Sequence, residues 1–105
     1  MEIIETPIFT KMIQTVMSDE SYRAFQSHLI ESPDSGAIIL GSGGLRKIRW
    51  KGASRGKRGG MRVIYYWYNA SGILLMLYAY SKNVQDDLTK EQLKTLKKII
   101  LAGDD

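Results

Sequence analysis

The sequence predicts an α+β domain: a small antiparallel β-sheet with two N-terminal helices and one C-terminal helix packed against it. Three observations point there. Leu45–Trp50, Met61–Tyr68 and Ile73–Tyr80 are dense in β-branched and aromatic residues and are joined by short segments, as in consecutive antiparallel strands. Apolar residues recur at helical spacing near both ends of the chain. With 105 residues and no internal repeat, the chain suits one domain spanning 1–105.

The elements follow in the order β-α-α-β-β-β-α. Glu2-Ile3-Ile4-Glu5-Thr6 reads as a short opening strand, and Phe9, Met12, Ile13 and Val16 recur as one helical stripe. Ser18 then caps a second helix, with Asp19 and Glu20 at the positive end of its dipole and Tyr22, Phe25 and Leu29 on its apolar side. Pro33 stops it by removing a donor and disfavouring helix in the residue before. Apolar Ala37–Leu40 ends in the turn Gly41-Ser42-Gly43-Gly44, and a Gly-, Ser-, Lys- and Arg-rich loop runs from Lys51 to Gly60. Large residues on both faces of Met61–Tyr68 mark a central strand covered on two sides. Asn69–Gly72 supplies the next turn. In the last helix Thr89 and Gln92 form a capping box, Leu93, Leu96, Ile99 and Ile100 face inward, and Gly103 ends it.

Composition narrows the chemistry. There is no cysteine, which excludes disulfides, thiolate metal sites and cysteine nucleophiles and favours a cytoplasmic setting. The N-terminus does not read as a signal peptide, and the longest apolar runs are too short to span a bilayer, so no membrane partner is expected. Charge is segregated: Ser35 to Gln85 contains nine of the fifteen Lys and Arg residues and no acid, while the flanks hold six bases and all eleven acids. A solvated surface ordinarily mixes its signs, so the segregation points to a partner of dense negative charge, with nucleic acid first.

Period-two alternation puts Leu45, Lys47, Arg49 and Lys51 on one face of their strand and Arg46, Ile48 and Trp50 on the other. Lys47 and Arg49 then point the same way, roughly 7 Å apart. If this strand forms a hairpin with the next, Arg62 joins them, and three converging cations call for an anion such as phosphate. Tyr65 and Trp67 read as core, whereas Tyr80, ending a strand beside Lys82, reads as the best exposed aromatic for base stacking. Other templates fail. His28 is the only histidine and lies on a helix, so a two-histidine acid–base pair is impossible. Asp86 and Asp87 are better explained by the dipole of the following helix than as metal ligands, and no metal or cofactor is expected. Gly41-x-Gly43 lacks the third glycine of a dinucleotide fingerprint. What remains is chemistry that cations alone support. RNA brings its own nucleophile, the ribose 2′-OH, and arginines can neutralise charge building on the phosphate. A lysine crowded by cations is a conceivable base.

Gly43-Gly44-Leu45-Arg46-Lys47-Ile48-Arg49, Gly56-Lys57-Arg58-Gly59-Gly60-Met61-Arg62-Val63-Ile64-Tyr65-Tyr66 and Tyr80-Ser81-Lys82-Asn83 together resemble the RelE superfamily of bacterial toxins, most of all its HigB-like branch. The resemblance implies a ribosome-dependent endoribonuclease that cuts messenger RNA in the ribosomal A site and so halts translation. It also implies a cognate antitoxin whose complex with the toxin binds operator DNA. Lys47, Arg49 and Arg62 match the family's basic positions. A further arginine and a tyrosine found in other members are replaced by Asn83 and Thr89, leaving Tyr80 and Lys82 as the nearest substitutes. Catalytic candidates are therefore Lys47, Arg49, Arg62, Tyr80 and Lys82, with Arg46, Lys51, Arg55, Lys57 and Arg58 as candidate RNA contacts. A non-catalytic RNA- or ribosome-binding module, or a basic adaptor for an acidic protein, would show the same charge segregation.

Overall fold

A computed structural model describes residues 1–51, 60–85 and 87–103. The elements run β1 (Glu2–Glu5), α1 (Pro7–Val16), α2 (Asp19–Glu31), β2 (Ala37–Ile38), β3 (Arg46–Trp50), β4 (Met61–Tyr68), β5 (Ile73–Ser81) and α3 (Lys90–Gly103). Local chemistry sets the helix starts. Thr6 accepts from the Phe9 amide at 3.3 Å with Pro7 opening α1, and Ser18 accepts from the Ser21 amide at 3.1 Å. Thr89 and Gln92 close the expected capping box of α3, at 3.1 and 3.0 Å.

The five strands form one sheet in the order β1-β5-β4-β3-β2. It is a mixed sheet, which corrects the all-antiparallel expectation: β1 lies parallel to β5, with Glu2 opposite Ile73 and Glu5 opposite Met76. Short connections force antiparallel pairing only between consecutive strands. Two helices separate β1 from the rest of the sheet, so it enters the far edge free of that constraint. The apolar stretch Ala37–Leu40 contributes only the two-residue, exposed edge strand β2, an element additional to the seven read from the sequence.

Helices cover both faces of the sheet. On one, Phe9, Ile13, Val16, Phe25 and Leu29 pack against Ile48, Val63, Tyr65, Leu74, Met76 and Ala79. On the other, Leu96 and Ile100 of α3 pack against Leu45, Ile64 and Leu77. β4 is thus buried on both sides, as its composition suggests, with Tyr65 fully inside and Trp67 partly so. The Tyr65 hydroxyl accepts from the Gly36 amide (2.9 Å) and donates to the Pro33 carbonyl (2.8 Å), pinning the α2–β2 connection to the central strand.

A β-bulge interrupts β5. Ile64 pairs with Tyr78 but Tyr65 pairs with Met76, leaving Leu77 as the extra residue. Leu74 and Met76 face α1 and α2, and simple alternation would send Tyr78 and Tyr80 the same way. The bulge reverses the phase, so Leu77, Tyr78 and Tyr80 all belong to the α3 side.

Candidate active site

The pairing register assembles the basic residues in rows. Arg49 lies opposite Arg62, and Arg62 lies opposite Tyr80, a row across β3, β4 and β5. The adjacent row is Lys47, Ile64 and Tyr78. Directly opposed residues have Cβ atoms about 5 Å apart, so the two arginines stand side by side and Lys47 is one step along the same face. The hairpin expectation for Arg62 therefore has its geometric counterpart, and the bulge adds Tyr80 to the same face.

Exposure differs sharply along the row. Arg49 is exposed, Lys47 half-buried and Arg62 only 5% exposed, its Nη1 lying 3.5 Å from the Met61 carbonyl. Tyr80 is 4% exposed, which corrects its reading as an exposed stacking platform. Its ring tilts against Tyr78 with centroids 5.8 Å apart, inside the α3 cluster. Lying between sheet and helix, it cannot offer a face to a base.

An anion does stand at these cations. Asp87 Oδ1 lies 3.1 Å from Lys47 Nζ, the one ion pair among the described residues. The Lys47 ammonium, followed by the Leu88 amide, holds the Asp87 carboxyl below its ordinary value, and Arg62 contributes through its charge. The segment is well tied: Gln85 Nε2 donates to the Asp87 carbonyl (2.7 Å) and to Gln92 Oε1 (2.6 Å), while Gln92 Nε2 donates to the Tyr78 hydroxyl (2.9 Å). Reading Asp87 as a helix-dipole residue overlooks this contact. The available signal is its distance of only two residues from the Thr89 cap, at the point where the chain returns from β5 across the basic face. Because Lys47 has a carboxylate partner, the premise of a lysine surrounded by cations alone does not hold.

The other candidates are placed differently. Arg46 points to the opposite face, where Nη1 donates to the Gly36 (2.7 Å) and Asp34 (3.2 Å) carbonyls and its guanidinium lies 6.0 Å from the Trp67 ring centroid. It braces the α2–β2 connection and is not gathered with Lys47 and Arg49. Lys51 and Lys82 are exposed at strand ends, the Lys82 amide donating to the Gly60 carbonyl at 3.3 Å. Arg55, Lys57 and Arg58, like Asp86, lie outside the described residues. His28, distant in sequence, shares a depression of about 500 Å³ with Lys47, Arg49 and Trp50 at the open edge of β3, its ring 5.6 Å from that of Trp50. Thr89 is occupied as a helix cap, and Asn83 sits in the turn after β5, its amide donating to Ser81 Oγ (3.3 Å). Among the described residues no three His, Asp or Glu side chains converge as metal ligands. No helix is long and apolar enough to cross a membrane, again among those residues.

Two comparisons bear on this arrangement. A family model described as the RelE toxin of the RelE/RelB toxin–antitoxin system matches residues 1–102. Among solved structures, a mutant of Escherichia coli toxin RelE with two arginines replaced by alanine, in the free state, is similar in fold. The TM-score is 0.56 at 11% identity, over 80% of this chain and 85% of that one.

Proposed function

Since the chain belongs to the RelE family of toxin–antitoxin toxins, we propose that it is a ribosome-dependent endoribonuclease of the HigB-like branch that cleaves messenger RNA in the A site. Membership brings an antitoxin partner with it; the ribosome, operator DNA and the branch are parts of the proposal. The glycine- and lysine-rich stretch 51–60 supports the branch on sequence alone. The observation that carries the reaction is the row Arg49–Arg62–Tyr80 with Lys47 beside it and Asp87 across from Lys47.

In the proposed reaction a ribose 2′-oxygen attacks the adjacent phosphorus, forming the 2′-O–P bond while the P–O5′ bond breaks. The products are a 2′,3′-cyclic phosphate and a 5′-hydroxyl end. Arg62 and Arg49 donate to the phosphoryl oxygens as charge builds there, and Arg62, being buried, acts where water screens least. The scissile phosphate takes up Lys47, releasing Asp87 to accept the 2′-hydroxyl proton, while a cation at the rim, Lys82 or Lys47, returns one to the 5′-oxygen. A carboxylate held low is a weak base, so positioning and charge neutralisation supply most of the acceleration.

Expression without antitoxin, followed by mapping of RNA 5′ ends on translated messages, tests the reading. New 5′-hydroxyl ends are expected from the wild type, with a loss of about 10²–10³ in rate for Arg62→Ala. Undiminished cleavage by a folded Lys47→Ala/Arg49→Ala/Arg62→Ala variant rejects the site. Salt-sensitive ribosome binding by a wild type that produces no new ends favours the non-catalytic binding module instead.

A further inference from the structure

Four of the six basic residues outside the carboxylate-free segment are Lys90, Lys94, Lys97 and Lys98, all on α3. Their spacing of four, three and one residues gathers them on one flank of the helix. Glu91, three residues before Lys94, borders this flank, and with Thr95 it lines a separate groove shared with Ile8 of α1. The lysines instead border a shallow depression of about 350 Å³ shared with Gly41 and Leu101. Lys97 Nζ donates to the Gly41 carbonyl at 3.1 Å, and among the described residues none of the four lysines is ion-paired.

The helix also runs in a telling direction. It starts beside the Lys47–Asp87 pair, meets Gly41 at Lys97 midway along, and near its end places the Ile100 carbonyl 3.4 Å from the Tyr68 hydroxyl. The lysine flank is therefore a continuation, along α3, of the cationic face that begins at Arg49 and Lys47. From Lys90 to Lys98 it covers about 12 Å of helix axis, a span over which a single strand presents more than one phosphate.

We propose that this flank of α3 is a second binding element for the RNA backbone, guiding the strand that enters or leaves the Lys47/Arg49/Arg62 site. The inference rests on the functional reading above and names where its substrate is held away from the chemistry. Charge decides the occupant: four cations on one flank, against the single acid of α3 at its border, complement a polyanion. Lysine suits this role, being a point charge on a flexible stem that follows a backbone without demanding a fixed geometry. No base-specific contact is implied, so binding here is sequence-neutral and salt-sensitive.

The test uses the full chain and a fluorescent, fully 2′-O-methylated oligoribonucleotide, which binds but lacks the nucleophile. Lys90→Gln/Lys94→Gln/Lys98→Gln removes three charges and keeps the Lys97–Gly41 contact. At about 0.7 per phosphate for a single strand, the slope of log K against log salt should become shallower by about 2. Lys11→Gln/Arg23→Gln, a charge removal on α1 and α2, should leave the slope unchanged. An unaltered slope in the α3 variant overturns the inference, and does so decisively if that variant instead loses retention on poly-glutamate, which assigns the flank to an acidic protein. Failure of the underlying reading looks different: the wild type then neither binds this RNA nor produces 5′-hydroxyl ends, and Arg62→Ala changes nothing.

Discussion

Replacing Tyr65 with phenylalanine removes one oxygen and strips a partner from two backbone groups at once. The Gly36 amide, buried and 2.9 Å from that oxygen, loses its acceptor, and the Pro33 carbonyl at 2.8 Å loses its donor. A buried group left unsatisfied costs about 1–3 kcal/mol, the lower end applying where water can reach it, as at the partly buried Pro33 contact. The ring itself stays, so no cavity term is added. The expected loss is about 2 kcal/mol, or a fall in melting temperature on the order of 10 °C for a domain of this size. Urea unfolding should show a lower midpoint at unchanged m, with RNA cleavage by the folded fraction retained. Gly36 supplies an internal check: a Cβ there would sit 2.8 Å from both Tyr65 Cε1 and its hydroxyl. Gly36→Ala should therefore be less damaging in the Tyr65→Phe background, where the hydroxyl half of the clash is gone. A loss below about 0.5 kcal/mol for Tyr65→Phe, or strict additivity of the two changes, would refute the pinning argument.

Three further outcomes follow from the geometry. Asp87, held below the ordinary carboxylate value by Lys47, should titrate by NMR with a midpoint under ~3.9, and Lys47→Met should move it upward. The sign is that of a depressed acid: its stabilising contribution is complete above the unfolded pKa and is lost as pH falls through the folded one, so the pair stays intact at neutral pH. Tyr22 behaves oppositely. Burial, and then its 2.6 Å hydrogen bond to Glu5, raise its pKa, so its contribution is full below about 10 and is lost only as pH rises beyond that; ultraviolet titration should show a late-ionising tyrosine, besides the buried Tyr65, that shifts earlier in Glu5→Gln. Gln92→Ala breaks the contacts to Thr89, Gln85 and Tyr78 together, and should cost about 1 kcal/mol of stability in urea while lowering cleavage through loss of the Asp87 placement.

Most of this fold is local and so can be read from the chain. Ser18, Pro33 and the Thr89–Gln92 pair act within one helical turn, and β3 to β5 are consecutive strands whose composition announces them. The parallel entry of β1 is set by tertiary packing across two helices, and no local pattern encodes it. The site divides in the same manner. Lys47, Arg49 and Arg62 are legible because alternation and hairpin pairing operate on neighbouring strands. Tyr80 reads as exposed because its surroundings come from α3, and the role of Asp87 is hidden because its partner lies forty residues away. A charge count sets the α3 lysines among the acidic flanks and so conceals them.

The extra residue at Leu77 has a consequence for how this chain can change over time. It acts as a phase boundary: upstream of it the even-numbered Leu74 and Met76 answer to the α1 and α2 layer, whereas downstream Tyr78 and Tyr80 turn to the α3 side and Ala79 to the α1 and α2 layer. Losing one residue there would exchange the environments of Tyr78, Ala79 and Tyr80 while leaving composition and strand length almost untouched. Positions of the same parity on the two sides of the boundary are thus accountable to different neighbours, and a one-residue misalignment of β5 against a relative would compare core positions with site positions.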